Sequence, residues 1–167
     1  MPSDASIASQ VEEWAVATLT TANNADKPFK VIEQYDGTVD NAGSRIAEEI
    51  VSASRNPLAQ VFMLNSFMRE QGDQNDDRLF NLFVFIGVRN VRGGKQSRCG
   101  DGDTIGIHRA MEFVADALDG GNPGKSDPGG VRKAVKVKNP EGNILFEQKT
   151  LYVATVRFTV RATLAGV

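Results

Sequence analysis

The sequence is poor in the residues that most often build catalytic and metal centres. Its 167 residues include one cysteine, Cys99, and one histidine, His108. One cysteine excludes an intrachain disulfide and the usual thiolate zinc sites, and one histidine excludes a site built on several imidazoles. A dyad of these two would still need an orienting group and an oxyanion hole. We expect no enzyme, cofactor or metal, with a small enzyme using Cys99 or the acidic residues as an alternative.

The chain also lacks a strong net charge and a long apolar run. Its formal charge is −2, with 24% charged and 41% hydrophobic residues. This balance gives no bulk attraction to nucleic acid or to an anionic membrane. No apolar run approaches the ~18 residues needed to span a bilayer, and the first residues do not resemble a signal peptide. We expect a cytoplasmic product with no membrane partner.

Known ligand motifs fail on spacing. The Gly-Lys-Ser at 124–126 lacks the upstream glycine of a phosphate-binding loop, because Asp119 stands there. An EF-hand pattern is partly met, but Ile105 stands at its fifth position and cannot ligate through its side chain. The residues that do match that pattern are Asp101, Asp103, Gly106 and Glu112. We interpret them as the polar start of a helix, with Asp103 or Thr104 as its N-cap.

The hydrophobic period alternates between helix and strand, which is typical of an α+β domain. The run from Leu82 to Val88 has no polar face, so we expect a central strand covered on both sides. Phe83, Phe85 and Ile86 are predicted to be deeply buried, and the residues that cover the sheet are predicted to include Trp14, Met111 and Val114. Strands 58–68 and 79–88 are expected to pair antiparallel. The predicted helices cover 7–19, 41–54 and 107–118, and the other predicted strands cover 29–35, 151–163 and a small hairpin of 131–138 with 144–146. We predict a single domain over 1–167, a mixed and mostly antiparallel sheet with two to three helices packed on it.

Two segments are predicted to be loops, a basic loop 89–102 and an irregular loop 120–130. The basic loop carries Arg89, Arg92, Lys95 and Arg98 among glycines, without an acidic residue before Asp101. Such a cluster repels itself when free and is stabilised by an acidic partner surface. We therefore predict a mobile loop whose four cations form a protein interface.

Nucleic-acid binding is the competing interpretation of the cations. A nucleic-acid-binding or protein-binding module using residues 89–98 stays open as an alternative function. A second cationic group follows later in the chain, but no aromatic is interleaved with it for base stacking. Its residues are Arg132, Lys133, Lys136 and Lys138. Lysines of this kind also protect the edge of a sheet, which is the interpretation we favour. The acidic residues Asp73, Asp76 and Asp77 are expected in a solvated hairpin tip.

The order of short segments along the chain resembles one family. The segments are Tyr35-Asp36-Gly37 after a first strand, Pro57-Leu58-Ala59-Gln60-Val61-Phe62 opening the next, Phe83 to Gly93, Arg98-Cys99-Gly100, and a helix closing with Leu118-Asp119-Gly120. In this order the chain resembles the tail-terminator family of Mu-like contractile-tailed phages and prophages, from about Ile7 to about Val160.

The resemblance implies an α+β protein with helices against a mixed sheet. It also implies a homo-oligomeric ring, a hexamer, on the head-proximal end of the tail, with the tail tube, the sheath and the head connector as partners. The protein would be located in the virion after assembly in the host bacterial cytoplasm. A capping protein needs a rigid sheet, protruding loops and charged surfaces that set the register of a ring.

Overall fold

The computed structural model describes residues 4–37, 39–69, 78–126 and 132–164. The helices in these residues are α1 (Asp4–Asp26), α2 (Ala42–Glu49), α3 (Gly94–Cys99) and α4 (Ile107–Leu118). The strands are β1 (Val31–Gln34), β2 (Leu58–Arg69), β3 (Arg78–Arg89), β4 (Arg132–Gln148) and β5 (Leu151–Leu164). The acidic residues Asp73, Asp76 and Asp77 lie outside the described residues.

The strands form one five-stranded sheet in the order β1-β2-β3-β5-β4. β1 pairs parallel with β2, and every other neighbouring pair is antiparallel. The predicted fold class is confirmed, including the antiparallel pairing of β2 with β3 and the central place of β3. Three helices cover the sheet, with α1 and α4 on one face and α2 on the other.

β3 is apolar along its length because it contributes to two hydrophobic cores. The first core lies between the sheet and α1 with α4, and the second lies between the sheet and α2. Val84 and Ile86 are buried on the face that α1 and α4 cover, together with Val11 and Val114 from those helices. Phe85 is buried on the α2 face. The predicted covering residues Trp14 and Met111 pack on the first core but stay partly exposed, as does Phe83 on the α2 face.

α2 lies close to the sheet at Gly87. A Cβ atom built at this glycine would be 2.7 Å from Ile50 Cγ2 and 2.8 Å from Ile46 Cγ2. Only a residue without a side chain therefore lets the helix pack at this distance. The missing Cβ fixes how deeply the two isoleucines reach into the second core.

Four expectations about local structure are wrong. Residues 132–148 form one edge strand paired with β5, not a hairpin, because bulges absorb the Asn139-Pro140 turn signal. Residues 94–99 of the basic loop are helical. α4 has Gly106 at its N-cap instead of Asp103 or Thr104. In the irregular loop, residues 123–126 form a 3-10 turn whose first two residues are buried.

Candidate protein interface

The four cations of the predicted basic loop occupy different elements. Arg89 is the last residue of β3, and its backbone exchanges two hydrogen bonds with the Asn56 side chain, at 2.9 and 2.6 Å. Its guanidinium donates to the carbonyl oxygen of Val51 at 3.1 Å. Arg89 thus ties β3 to the segment before β2, and its side chain is only half-exposed.

Arg92 is paired inside the chain. Its guanidinium lies 3.2 Å from an Asp101 oxygen and 3.6 Å from an Asp103 oxygen. Asp101 also accepts hydrogen bonds from the Asn90 amide and from the backbone N–H groups of Asp103 and Thr104. The Asn90 bond first, then the backbone bonds, hold the pKa of Asp101 at about 2, with a smaller contribution from Arg92.

These bonds change the interpretation of residues 101–106. The Asp101 carboxylate accepts from the backbone N–H groups of Asp103 and Thr104, so these residues form a turn before the helix, and Gly106 is the N-cap of α4. Both oxygens of Asp101 have donors, as expected of a turn-forming aspartate. Among the described residues no group of three His, Cys, Asp or Glu side chains could hold a metal ion.

α3 is fixed to the end of the sheet by Ser97. The buried Ser97 hydroxyl accepts from the Asn90 N–H at 3.0 Å, and the carbonyl oxygens of Gly93 and Thr150 both lie within reach of its single O–H. Lys95 and Arg98 are exposed on this short helix. Cations held on an anchored helix are not the mobile loop that the sequence predicted. Their role in an interface stays a prediction, as does that of Arg89 and Arg92.

Two carboxylates converge between the sheet and α2, but both already accept hydrogen bonds from side chains of the same chain. The Arg55 guanidinium donates to both Glu33 and Glu49, the latter at 3.1 Å. The buried Gln60 amide donates to the same two carboxylates at 2.7 and 3.0 Å. This network joins β1, β2 and α2, so we interpret it as structural.

A second surface is visible only in the folded chain. α2 covers the part of its sheet face around Gly87, and the side chains of the neighbouring part stay exposed or partly exposed. Lys136 and Lys138 point to that part, because Val137 between them is buried on the opposite face. We call this region the open sheet face. It comprises Phe62, Phe83, Lys136, Lys138, Arg157 and Thr159.

Aromatic rings form the apolar side of the open sheet face. Phe62 and Phe83 are half-buried and flank Phe85, with ring centroids 6.4 and 6.2 Å from its ring. Tyr35 meets Phe62 and Phe85 edge to face at 5.8 and 5.0 Å. Phe83 lies directly opposite Arg157 in the β3–β5 pair. Sequence reasoning missed this contact because the two residues are far apart along the chain.

Cations form the other side of the open sheet face. The neighbouring Lys138 side chain lowers the pKa of Lys136, and the charge of Arg161 adds to this. Arg157 is exposed and pairs with Glu141 at 2.8 Å. The lysines do lie on an edge strand, as the sequence predicted. Together with Arg157 on β5 they form a positive surface that is wider than the edge strand. Protection of the edge alone would not require a positive charge on β5.

The opposite side of the sheet carries an acidic helix surface. α4 packs on the first core through Ile107, Val114 and Leu118. Its outward side exposes Glu112, Asp116 and Asp119, with Arg109 3.6 Å from Glu112. We call these three carboxylates the α4 acidic surface. Because α4 contacts β3, β4 and β5, it lies behind the strands that carry the open sheet face.

Two clefts among the described residues are shallow, and each is lined by both polar and apolar residues. One of about 380 Å³ lies between the end of α1 and residues 101–105, with Lys27, Lys30, Asp26 and Asp103 at its wall. Another of about 300 Å³ runs between α4 and the bulged part of β4 and includes His108. Neither brings Cys99 to His108. Among the described helices, none is long and apolar enough to cross a membrane.

Comparison with known proteins gives little to set beside this geometry. No family model and no curated protein matches the chain. Among solved structures, a chain described as "Virion of native gene transfer agent (GTA) particle" is similar, with 12% sequence identity and a TM-score of 0.46. The similarity covers 89% of this chain and 93% of that one. A TM-score this low does not assign the chain a role.

Proposed function

We propose that this chain is a virion structural protein, a tail terminator whose ring caps the head-proximal end of a phage tail tube and joins it to the head connector. The observation that carries the proposal is the open sheet face. Half-buried aromatics beside a group of cations are a surface suited to a protein partner, since aromatic and arginine side chains are enriched in interfaces. A hexameric ring would supply a partner surface for every copy.

The segments that carry the sequence resemblance support the proposal by their positions. Residues 57–62 open β2, and residues 83–89 form the second half of β3. Tyr35-Asp36-Gly37 follows the end of β1, and residues 98–100 and 118–120 end α3 and α4. The resemblance therefore falls on the strands and helix ends that fix the fold, as a shared scaffold requires.

We propose that the protein acts by binding and has no catalytic step. Its converging carboxylates, Glu33 and Glu49, are paired with Arg55 and Gln60. The partners would be other copies of the chain, the tail tube, the sheath and the head connector. It would be located in the virion, after assembly in the host bacterial cytoplasm.

Tails assembled without this chain provide the direct test. We expect the purified protein to bind one end of such tails, visible by electron microscopy, and to restore their joining to heads. The size of the protein, alone and on tails, would be measured by native mass spectrometry and image averaging. A stable monomer that neither forms rings nor binds tails would contradict the proposal.

A binding module that uses residues 89–98 is the second candidate. It is favoured by the exposure of Lys95 and Arg98 on α3, neither of which has an ion-pair partner among the described residues. Such a module would act as a monomer or dimer, and its binding to nucleic acid would weaken steeply with added salt. Titration of labelled DNA at several salt concentrations separates this candidate from the first.

A further inference from the structure

We propose that neighbouring copies of this chain associate front to back, the open sheet face of one copy binding the α4 acidic surface of the next. The proposal rests on the proposed function, which requires a ring, and names the two surfaces that would form its repeated contact. The two surfaces carry opposite charge and lie on opposite sides of one sheet.

The first step is charge complementarity. The chain as a whole is nearly neutral, at −2, so a positive surface must be balanced by a negative one elsewhere. Lys138 lies close enough to Lys136 to lower the pKa of Lys136. The surface therefore holds charges that repel each other when no partner is bound. Carboxylates at Glu112, Asp116 and Asp119 would relieve this repulsion.

The second step is symmetry. In a twofold dimer a surface meets its own copy, so two open sheet faces would bring two positively charged surfaces together. Two α4 acidic surfaces would oppose carboxylates in the same way. Contact between different surfaces avoids both arrangements, and it repeats from copy to copy until a ring closes. Opposite charge on opposite sides of the sheet therefore favours head-to-tail assembly.

The third step is the apolar component. Charge pairs at an exposed surface contribute little by themselves, in the range of about 0 to 1 kcal/mol each. Phe62 and Phe83 are already half-buried, and a partner helix lying across them would remove their remaining surface from water. The aromatics would then supply affinity, while the charges would set orientation and exclude the twofold contact.

The test uses two charge-reversed variants of the full chain. One carries Lys136→Glu with Lys138→Glu, and the other Asp116→Lys with Asp119→Lys. Each variant presents two surfaces of like sign, so we expect its association constant to fall about tenfold or more. A mixture of the two variants restores opposite charges at every contact, so we expect the mixture to associate like the parent. Sedimentation velocity at low ionic strength measures both effects.

The matched control is Lys27→Glu with Lys30→Glu, near the end of α1. It changes the net charge by the same amount as Lys136→Glu with Lys138→Glu. We expect this variant to associate like the parent, and circular dichroism to show that every variant is folded. Added salt should weaken association of the parent and of the mixture alike.

The possible failures are distinguishable. A parent that assembles, with both reversed variants assembling equally well, would overturn the front-to-back contact and leave the ring function standing. A parent that stays monomeric, both alone and on tails, would overturn both. Binding of single-stranded DNA by a monomeric parent, lost in Lys136→Glu with Lys138→Glu, would assign the open sheet face to nucleic acid and also overturn the contact.

Discussion

Asp101 shows how one side chain organises a segment that the sequence left as loop. Its carboxylate binds the Asn90 amide, two backbone N–H groups and Arg92. In the sequence the aspartate was visible as part of the polar start of a helix. Its partner Asn90 was not, because nothing in the local pattern shows that this amide faces across to residue 101.

The first prediction concerns acid stability. The pKa of Asp101 is about 2 in the folded chain against an ordinary value of 3.8. Its contribution to stability is therefore complete above pH 3.8 and is lost as the pH falls toward 2. We expect Asp101→Asn to remove this part of the acid dependence, measured by urea unfolding between pH 2 and 6. Asp103→Asn, which changes a largely exposed carboxylate, should keep the parent's profile.

The second prediction concerns Glu12, whose pKa is shifted the other way. Burial raises the pKa of this carboxyl from 4.5, and Glu13 adds to the rise, while a hydrogen bond from the Met63 N–H at 2.8 Å opposes it. A raised pKa means that stability is greatest below pH 4.5 and falls as the pH rises through the folded value. Glu12→Gln keeps an acceptor for Met63 but loses the charge.

We therefore expect Glu12→Gln to be more stable than the parent at neutral pH. The gain should not exceed about 1 kcal/mol, because the half-buried group keeps part of its hydration. The same unfolding series measures it, and Glu13→Gln on the exposed side of α1 is the control. A variant less stable than the parent at every pH would show that the charged form of Glu12 is favoured in the fold.

At the scale of elements, the predictable parts are those whose pattern was set by burial. β3 was recognised because both of its faces are buried, and α4 because its apolar residues recur at helical spacing. β4 was divided wrongly because Asn139 and Pro140 are strong turn signals, whereas long-range pairing with β5 holds the strand together through three bulges. Pairing between distant segments leaves no signal in the local sequence. The sequence pattern therefore could not show that this pairing outweighs the turn preference of Asn139 and Pro140.

The third prediction concerns the packing of α2 on the sheet. A methyl group at residue 87 would have to displace Ile46 and Ile50, which are both buried. We expect Gly87→Ala to cost about 1 to 3 kcal/mol, the usual cost of overpacking a core. Gly102→Ala is the matched control, since a Cβ there meets nothing within 4 Å. Equal urea midpoints for the two variants would place α2 further from the sheet than described.

The fourth prediction separates two neighbouring aromatics. Phe85 is 2% exposed, so Phe85→Ala should cost about 3 to 5 kcal/mol. Phe83 is half-exposed at the open sheet face, and Phe83→Ala should cost clearly less in the monomer. Phe83→Ala should instead weaken self-association, as measured by sedimentation. A loss of stability as large as that of Phe85→Ala would place Phe83 in the core, where the sequence pattern put it.

At the scale of the whole molecule, the sequence indicated that charged surfaces would matter but not where they lie. The basic segment was visible as four cations in ten residues, yet Arg89 and Arg92 have partners inside the chain. The open sheet face was invisible because its members come from four strands. Only the strand order places the β4 lysines beside β5 and Phe83 beside Arg157.

The last prediction concerns the remaining cations of the basic segment. Lys95 and Arg98 are exposed on α3 and belong to neither of the two surfaces proposed for self-association, so we expect them to contact the tail tube or the connector. Lys95→Glu with Arg98→Glu should leave the urea midpoint unchanged, since both side chains are exposed. It should weaken binding to tails assembled without this chain about tenfold or more, because like charges would then face an acidic partner. Arg92 is left intact in this variant because it is paired with Asp101.

Two measurements on the same variant decide the outcome. Sedimentation should show that self-association is kept, and counting of capped tails by electron microscopy should show that capping is lost. The Lys27→Glu with Lys30→Glu variant controls for net charge in both. If the α3 variant caps tails as the parent does, at the same ionic strength, Lys95 and Arg98 are solvated surface residues that do not contact the tail. If it loses self-association instead, α3 belongs to the contact between copies, and the front-to-back arrangement must include it.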